Sequence, residues 1–249
     1  EKLIISVFKR FENAGKLSLD YSFQQNNRKE FDIRRGDDKD KASLDLQLTT
    51  HTLATNFLYD AATDLKANLG LEGSYQENFP DPNTGIRRLI PDYKMYSFGT
   101  YTTVDINLTD NLRLDAGMRY DYSQIDAQKY YQSSRWEERD YESDFGDLVV
   151  DRIDNQLLVN PVFDYRNFSA TVGAHYDLNS DFDLKFNLST ASRAPNPAEL
   201  FSDGLHHSAA IIELGDLRLD KEQSYKASVE FDGQLGDFSF SLNPFYNQI

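Results

Sequence analysis

Between Leu112 and Ser123 every even residue is apolar or aromatic, and every odd one is polar or glycine. A side-chain period of two belongs to an extended strand with one dry and one wet face, because a helix repeats every 3.6 residues. The pattern returns at Phe182/Leu184/Phe186/Leu188, from Phe168 to Leu178, from Tyr225 to Phe231 and from Phe98 to Leu108. Shorter copies are Leu17 to Phe23, Leu65 to Leu71 and Phe238 to Leu242, and residues 1–11 give a further, weakly alternating strand. Around 44–59 the parity changes: Leu44, Leu46 and Leu48 share one face, whereas Leu53, Phe57 and Tyr59 share the other. A β-bulge between the two groups is expected, since one extra residue flips every later side chain. The count is ten strands, and the fold class is all-β and antiparallel.

The connections sort into two kinds. Short ones rich in turn residues lie at 12–15, 61–63, 109–111, 179–181 and 235–237, and long ones at 27–41, 79–92, 127–165 and 192–221. The kinds alternate along the chain, so hairpin pairing puts all short turns at one end of the sheet and all long loops at the other. Transmembrane β-barrels have this asymmetry. A soluble β-sandwich is the competing architecture, because alternation alone does not say whether lipid or a second sheet covers the dry face. Run lengths of ten or more and aromatic residues near the run ends (Tyr75, Tyr96, Tyr120, Tyr122, Tyr176, Tyr246) favour the membrane.

Composition narrows the function. Only 39% of residues are hydrophobic, and no window offers the run of about 18 apolar residues that a spanning helix needs, whereas a spanning strand needs about 9–11. With 41 acidic against 26 basic residues the net charge is -15, so nucleic acid is not an expected partner. There is no Cys, which removes disulfides and thiolate chemistry. No phosphate-binding glycine loop, nucleophile elbow or His-Glu-x-x-His motif is present, so neither an enzyme nor a cofactor is expected. The first residues lack the pattern of a signal peptide, and both ends read as cuts through strands.

At 192–207 the chain reads Ser-Arg-Ala-Pro-Asn-Pro-Ala-Glu-Leu-Phe-Ser-Asp-Gly-Leu-His-His, followed at 212–222 by Ile-Glu-Leu-Gly-Asp-Leu-Arg-Leu-Asp-Lys-Glu. The Arg-Ala-Pro element and the Glu-x-Gly-Asp-x-x-Leu closure resemble the late-barrel segment of TonB-dependent receptors, with Asp216 where Asn is more familiar. Asn27 to Asp32, Leu89 to Tyr93 and Arg119-Tyr120-Asp121 add to the likeness in the same order. The resemblance implies an internal segment of a larger, 22-stranded barrel in the bacterial outer membrane, with all of 1–249 in the barrel domain. It implies a plug domain and a TonB box outside this chain. It also implies TonB-dependent import of a scarce nutrient, a metal chelate or a metal ion. The partners are then TonB, reached through an N-terminal segment, an extracellular nutrient ligand and outer-membrane lipid. A passive porin or adhesin barrel and a soluble carbohydrate-binding β-protein are the alternatives.

His206, His207 and Glu213 are the candidate metal ligands, with Asp203 nearby, because imidazole and carboxylate suit divalent transition metals. Adjacent histidines in an extended chain point apart, so packing of the loop is the competing role. His51 and His175 read as lumen or interface residues. The acidic stretch 137–154 reads as a solvated loop or, alternatively, as a cation-attracting mouth. Arg113, Asp115, Arg119, Asp121, Lys185, Glu230 and Asp232 read as inner-wall charges that pair across strands.

Overall fold

The computed structural model describes residues 1–12, 14–31, 39–60, 62–85, 88–206 and 211–249. Strands β1 (Lys2–Phe11), β2 (Gly15–Phe31), β3 (Ala42–Tyr59), β4 (Leu65–Pro80), β5 (Asp92–Thr109) and β6 (Leu112–Gln132) follow one another. A small hairpin, β7 (Val149–Ile153) and β8 (Gln156–Val159), precedes β9 (Val162–Asp177) and β10 (Phe182–Arg193). A second, β11 (Asp203–His206) and β12 (Ile211–Leu214), precedes β13 (Glu222–Leu235), β14 (Phe238–Leu242) and β15 (Phe245–Gln248). The sheet order is β1-β2-β3-β4-β5-β6-β9-β10-β13-β14, a sequential antiparallel meander of ten strands. β15 continues β14 against β13 after a break at Asn243-Pro244, where Val229 N–H donates to the Pro244 carbonyl at 3.1 Å.

Local chemistry makes the short turns. The Asn179 side chain accepts from Asp181 N–H and Phe182 N–H at 2.8 and 3.1 Å, an Asx turn that joins β9 to β10. Thr109 Oγ1 does the same for Leu112 N–H at 3.1 Å before β6. At the β13–β14 turn Gly236 has φ 62°, a conformation that a Cβ disfavours.

One face of the meander is apolar and open: Leu19, Leu53, Leu71, Phe98, Met118, Val172 and Phe186 are all exposed. Soluble monomers rarely leave such a contiguous apolar face to water, and one of this kind marks a membrane or protein contact. An aromatic row crosses the upper edge of this band, with Phe23, His51, Tyr75 and Tyr96 in register across β2, β3, β4 and β5. Their rings lie 5.1 Å (Phe23–His51), 6.4 Å (His51–Tyr75) and 5.2 Å (Tyr75–Tyr96) apart. His51 is therefore an interface residue, its Nδ1 2.9 Å from the Tyr21 hydroxyl. The opposite face carries the charges.

The bulge expected in β3 is not there. Pairing with β4 runs from Leu46↔Pro80 to Tyr59↔Ala67 without a shift, and the pairing with β2 shifts only at Glu30/Phe31. Leu44 and Leu46 instead point to the polar face and pack with Leu89. β6 behaves alike: Met118 and Tyr120 are exposed on the apolar face, whereas Ile125, Ala127 and Tyr131 are buried on the other. Length explains the switch. A strand of 21 residues runs about 70 Å at about 3.4 Å per residue. An apolar band about 25 Å tall, crossed at about 40°, takes up only about ten of them. The rest of β6 stands above the band, where a second core forms on the inner face.

For the same reason the long connections at 27–41 and 127–165 are shorter than the sequence suggests. β2 extends to Phe31, β6 extends to Gln132 and β9 starts at Val162. β8 then pairs with Lys129–Gln132 and adds to the wall. The other two long connections fall within two residues of the expected limits.

Candidate functional site

The long-loop end of the sheet is roofed from inside. Its core comprises Tyr93, Ile125, Ala127, Tyr131 and Tyr165 from the inner face of the strands, and Leu157 and Val159 from β8. Trp136 from α1 (Ser133–Glu138), Tyr141 from α2 (Tyr141–Phe145), Leu200 and Phe201 from α3 (Pro197–Phe201), and Leu217 complete it. The Trp136 ring lies 5.4 Å from Tyr131 and 5.3 Å from Tyr141, and its Nε1–H donates to Glu142 at 2.8 Å. α3 starts at a capping box: the Asn196 side chain accepts from Ala198 N–H and Glu199 N–H, and Glu199 accepts from Asn196 N–H. Arg193, paired with Glu199 at 2.8 Å, and the Asn196 N–H hold the Glu199 carboxyl below its usual range.

The closing motif acquires a physical role here. A Cβ on Gly215 would lie 2.6 Å from the Glu199 carbonyl oxygen, so only glycine lets this segment pass against α3. Asp216 accepts from the Tyr141 hydroxyl at 2.9 Å, and that hydroxyl accepts from Leu217 N–H at 3.1 Å. Burial raises the Tyr141 pKa, so the hydroxyl stays protonated and able to donate. Arg218 donates to Asp144 at 2.6 Å and to the Arg139 carbonyl at 2.8 Å. The two longest loops are thereby tied together. Of the acidic stretch, Glu142 is bound within its own loop, to Trp136 and Arg152, and Asp144 is bound across to Arg218.

Of the three candidate metal ligands, His206 and Glu213 come together on the β11–β12 hairpin, with His206 Nδ1 2.5 Å from Glu213 Oε1. His206 Nε2 lies 3.2 Å from Glu30 of β2 and also contacts the Arg28 guanidinium. Both imidazole nitrogens are engaged by protein groups, one of them cationic. His207 lies outside the described residues. Among the described residues no three His, Asp or Glu side chains are arranged to hold a metal ion. Asp203 turns to Arg135 at 3.2 Å and Arg139 at 3.5 Å.

Lower down, the inner wall carries the expected charges. Lys185 pairs with Glu230 at 2.6 Å directly across β10 and β13, and with Asp232 at 2.8 Å. Arg119 pairs along its own strand, with Asp121 at 2.6 Å, while Glu72 lies 3.8 Å away. Arg113 faces His175 Nδ1 at 3.0 Å, and His175 Nε2 lies 3.3 Å from both Asp177 and Asp183. His175 is thus an inner-wall residue. The residues that sequence reasoning missed are the mouth core, chiefly Tyr131, Trp136 and Tyr141. The parity switch of Ile125 and Ala127 against Tyr120 and Tyr122 was the available signal.

Comparison with known proteins adds family and fold. The model of the TonB-dependent receptor-like β-barrel matches residues 7–249. No curated protein sequence matches the chain. The copper transporter OprC shares the fold at TM-score 0.66 and 13% identity, over 98% of this chain and 38% of its own. The FrpB iron transporter from Neisseria meningitidis (F5-1 variant) gives 0.62 and 13%, over 99% and 36%. The ferric yersiniabactin uptake receptor FyuA from Yersinia pestis gives 0.54 and 13%, over 99% and 35%. The chain spans less than half the length of each.

Proposed function

The chain belongs to the TonB-dependent receptor β-barrel family, and from that membership we propose that it walls a gated importer of a scarce nutrient. The family is one of outer-membrane receptors and not of enzymes, so the apolar band of this chain faces outer-membrane lipid and the polar face lines the lumen. The nutrient we propose is a metal chelate or a metal ion, in keeping with the copper, iron and ferric yersiniabactin in the names of the similar structures. Residues 1–249 are barrel throughout in this reading, and TonB engages a segment outside them.

One observation carries the choice of a gated importer over a passive porin. The loops at the mouth build a packed core over the lumen, with Trp136, Tyr131 and Tyr141 each no more than 1% exposed. A mouth roofed in this way suits capture of a ligand better than free diffusion. At the histidine hairpin we favour loop packing, because Arg28 stands against Nε2, where a metal would bind. The direct-ligand reading of His206, His207 and Glu213 is tested by changing both histidines to Ala and measuring copper and iron binding. Import is tested with radiolabelled copper and ferric siderophores in cells with and without the receptor. Accumulation that needs both the receptor and TonB is expected, whereas equal accumulation without TonB would leave a porin.

A further inference from the structure

Above the apolar band, the outward cations of β2 and β5 meet acids. Lys29 pairs with Asp45 at 2.8 Å, and Lys94 stands opposite Glu77 on one side and Asp126 on the other. The arrangement changes where β10 stops. β9 and β13 flank β10, and their registers put Arg166 and Lys221 on either side of residue 194, one place beyond the end of the strand. Ala194 does not continue the wall, because it packs inward against the mouth core. A gap is left in the outer surface, and Lys221 reaches across it, its ammonium donating to the Arg166 carbonyl at 3.3 Å. The Arg166 side chain is 71% exposed, and Asp164 lies 4.0 Å from its guanidinium. Asp220 accepts instead from the Lys221 backbone N–H at 2.7 Å. Neither acid makes a close ion pair with the two cations.

The surface below this gap is hollow. Four residues further along each strand, about 14 Å at about 3.4 Å per residue, lie Ala170 on β9 and Tyr225 on β13. There the apolar face opens into a groove of about 450 Å³, where Ala170 and Ala227 lie among Leu188, Tyr225 and Tyr246. Guanidinium and ammonium groups bind phosphate through charge-assisted hydrogen bonds, and an apolar groove favours burial of methylenes. The pair and the groove together fit a molecule with a phosphate at one end and a hydrocarbon chain at the other.

We propose that this face seats a phosphate-bearing lipid of the outer leaflet, its headgroup on Arg166 and Lys221 and an acyl chain beside Ala170 and Ala227. The proposal rests on the lipid-facing reading of the apolar band. Full-length receptor, stripped of lipid in a neutral detergent, is titrated with diphosphoryl lipid A, and bound lipid is counted by native mass spectrometry. Arg166→Gln combined with Lys221→Gln is expected to weaken binding about tenfold or more, as loss of hydrogen bonds to a charged group would. Lys94→Gln, at a position already faced by acids, is expected to leave binding unchanged. Ala170→Phe with Ala227→Phe, which fills the groove, is expected to weaken it as well. Unchanged binding in the double glutamine variant, or an equal loss with Lys94→Gln, would overturn the headgroup site. Unchanged binding in the filled groove would overturn the acyl-chain site. Complete displacement by inorganic phosphate would overturn the lipid in favour of a free anion. Nitroxides at Val172 and Leu188 in phosphatidylcholine vesicles report lipid exposure without any bound phosphate lipid. Low oxygen access there would overturn the lipid-facing reading itself, whereas high access with unchanged binding would overturn the lipid site alone.

Discussion

Replacing Trp136 with alanine tests whether the mouth core is separate from the lipid-facing band. Trp136 is 1% exposed, packs between Tyr131 and Tyr141, and donates its indole N–H to Glu142. Truncating a buried tryptophan costs about 3–5 kcal/mol. At about 1.4 kcal/mol per tenfold, local opening of the loops should become roughly 140- to 4,000-fold more frequent. Amide exchange of the receptor in detergent reads this opening segment by segment. Faster exchange is expected in 133–161, and in 211–221 because Tyr141 carries Leu217 and Asp216 with it. Peptides within 112–122 and 168–178 should stay protected, and the barrel should keep its anomalous mobility on unheated gels. Loops that remain protected, or protection lost equally in the band strands, would refute the separation into two cores.

Arginine at Leu114 or Leu184, on the apolar face, should destabilise the barrel by about 2–4 kcal/mol near the bilayer midplane. Asn187→Arg on the polar face should have little effect, and urea titration of barrels folded into lipid vesicles measures both. The pH dependence at α3 follows from Glu199, whose folded pKa is depressed by Arg193 and the Asn196 N–H. Its contribution is present above the ordinary glutamate range and disappears as pH falls through the lower, folded value. Limited proteolysis at 194–202 should therefore quicken in acid, and Glu199→Gln should remove that acid sensitivity. Gly215→Ala should loosen the α3 contact through its clash with the Glu199 carbonyl, read as faster exchange in 196–202.

Much of the wall was legible because a period of two is a local property. The ten strands and their sequential order follow from Leu112–Ser123 and its copies, and from the alternating connection lengths. The mouth was less legible because its core is assembled from distant pieces. Leu44 and Leu46 have the wrong parity for lipid, and a bulge is the simplest sequence explanation. The actual reason, a partner at Leu89 across a loop, lies outside any local window. Ile125 and Ala127 carried the same signal. Tyr141 sits in, and Trp136 just before, an acidic stretch that reads as solvated, although Glu142 and Asp144 are bound to Trp136, Arg152 and Arg218. The pairing of His206 with Glu213 was suggested by proximity in sequence, whereas its contact with Glu30 depends on the curl of the whole sheet.

The central claim is that β6 faces lipid below and a protein core above. Nitroxide labels placed singly from 112 to 127 in the receptor, reconstituted in vesicles, test it through collisions with oxygen and with a water-soluble nickel chelate. Oxygen access should peak at even positions from 114 to 120, with the chelate favouring odd ones. At 125 and 127 both should be low, because these sites are buried. Alternation of the opposite phase, its absence between 112 and 122, or high oxygen access at 125 and 127 would contradict the account.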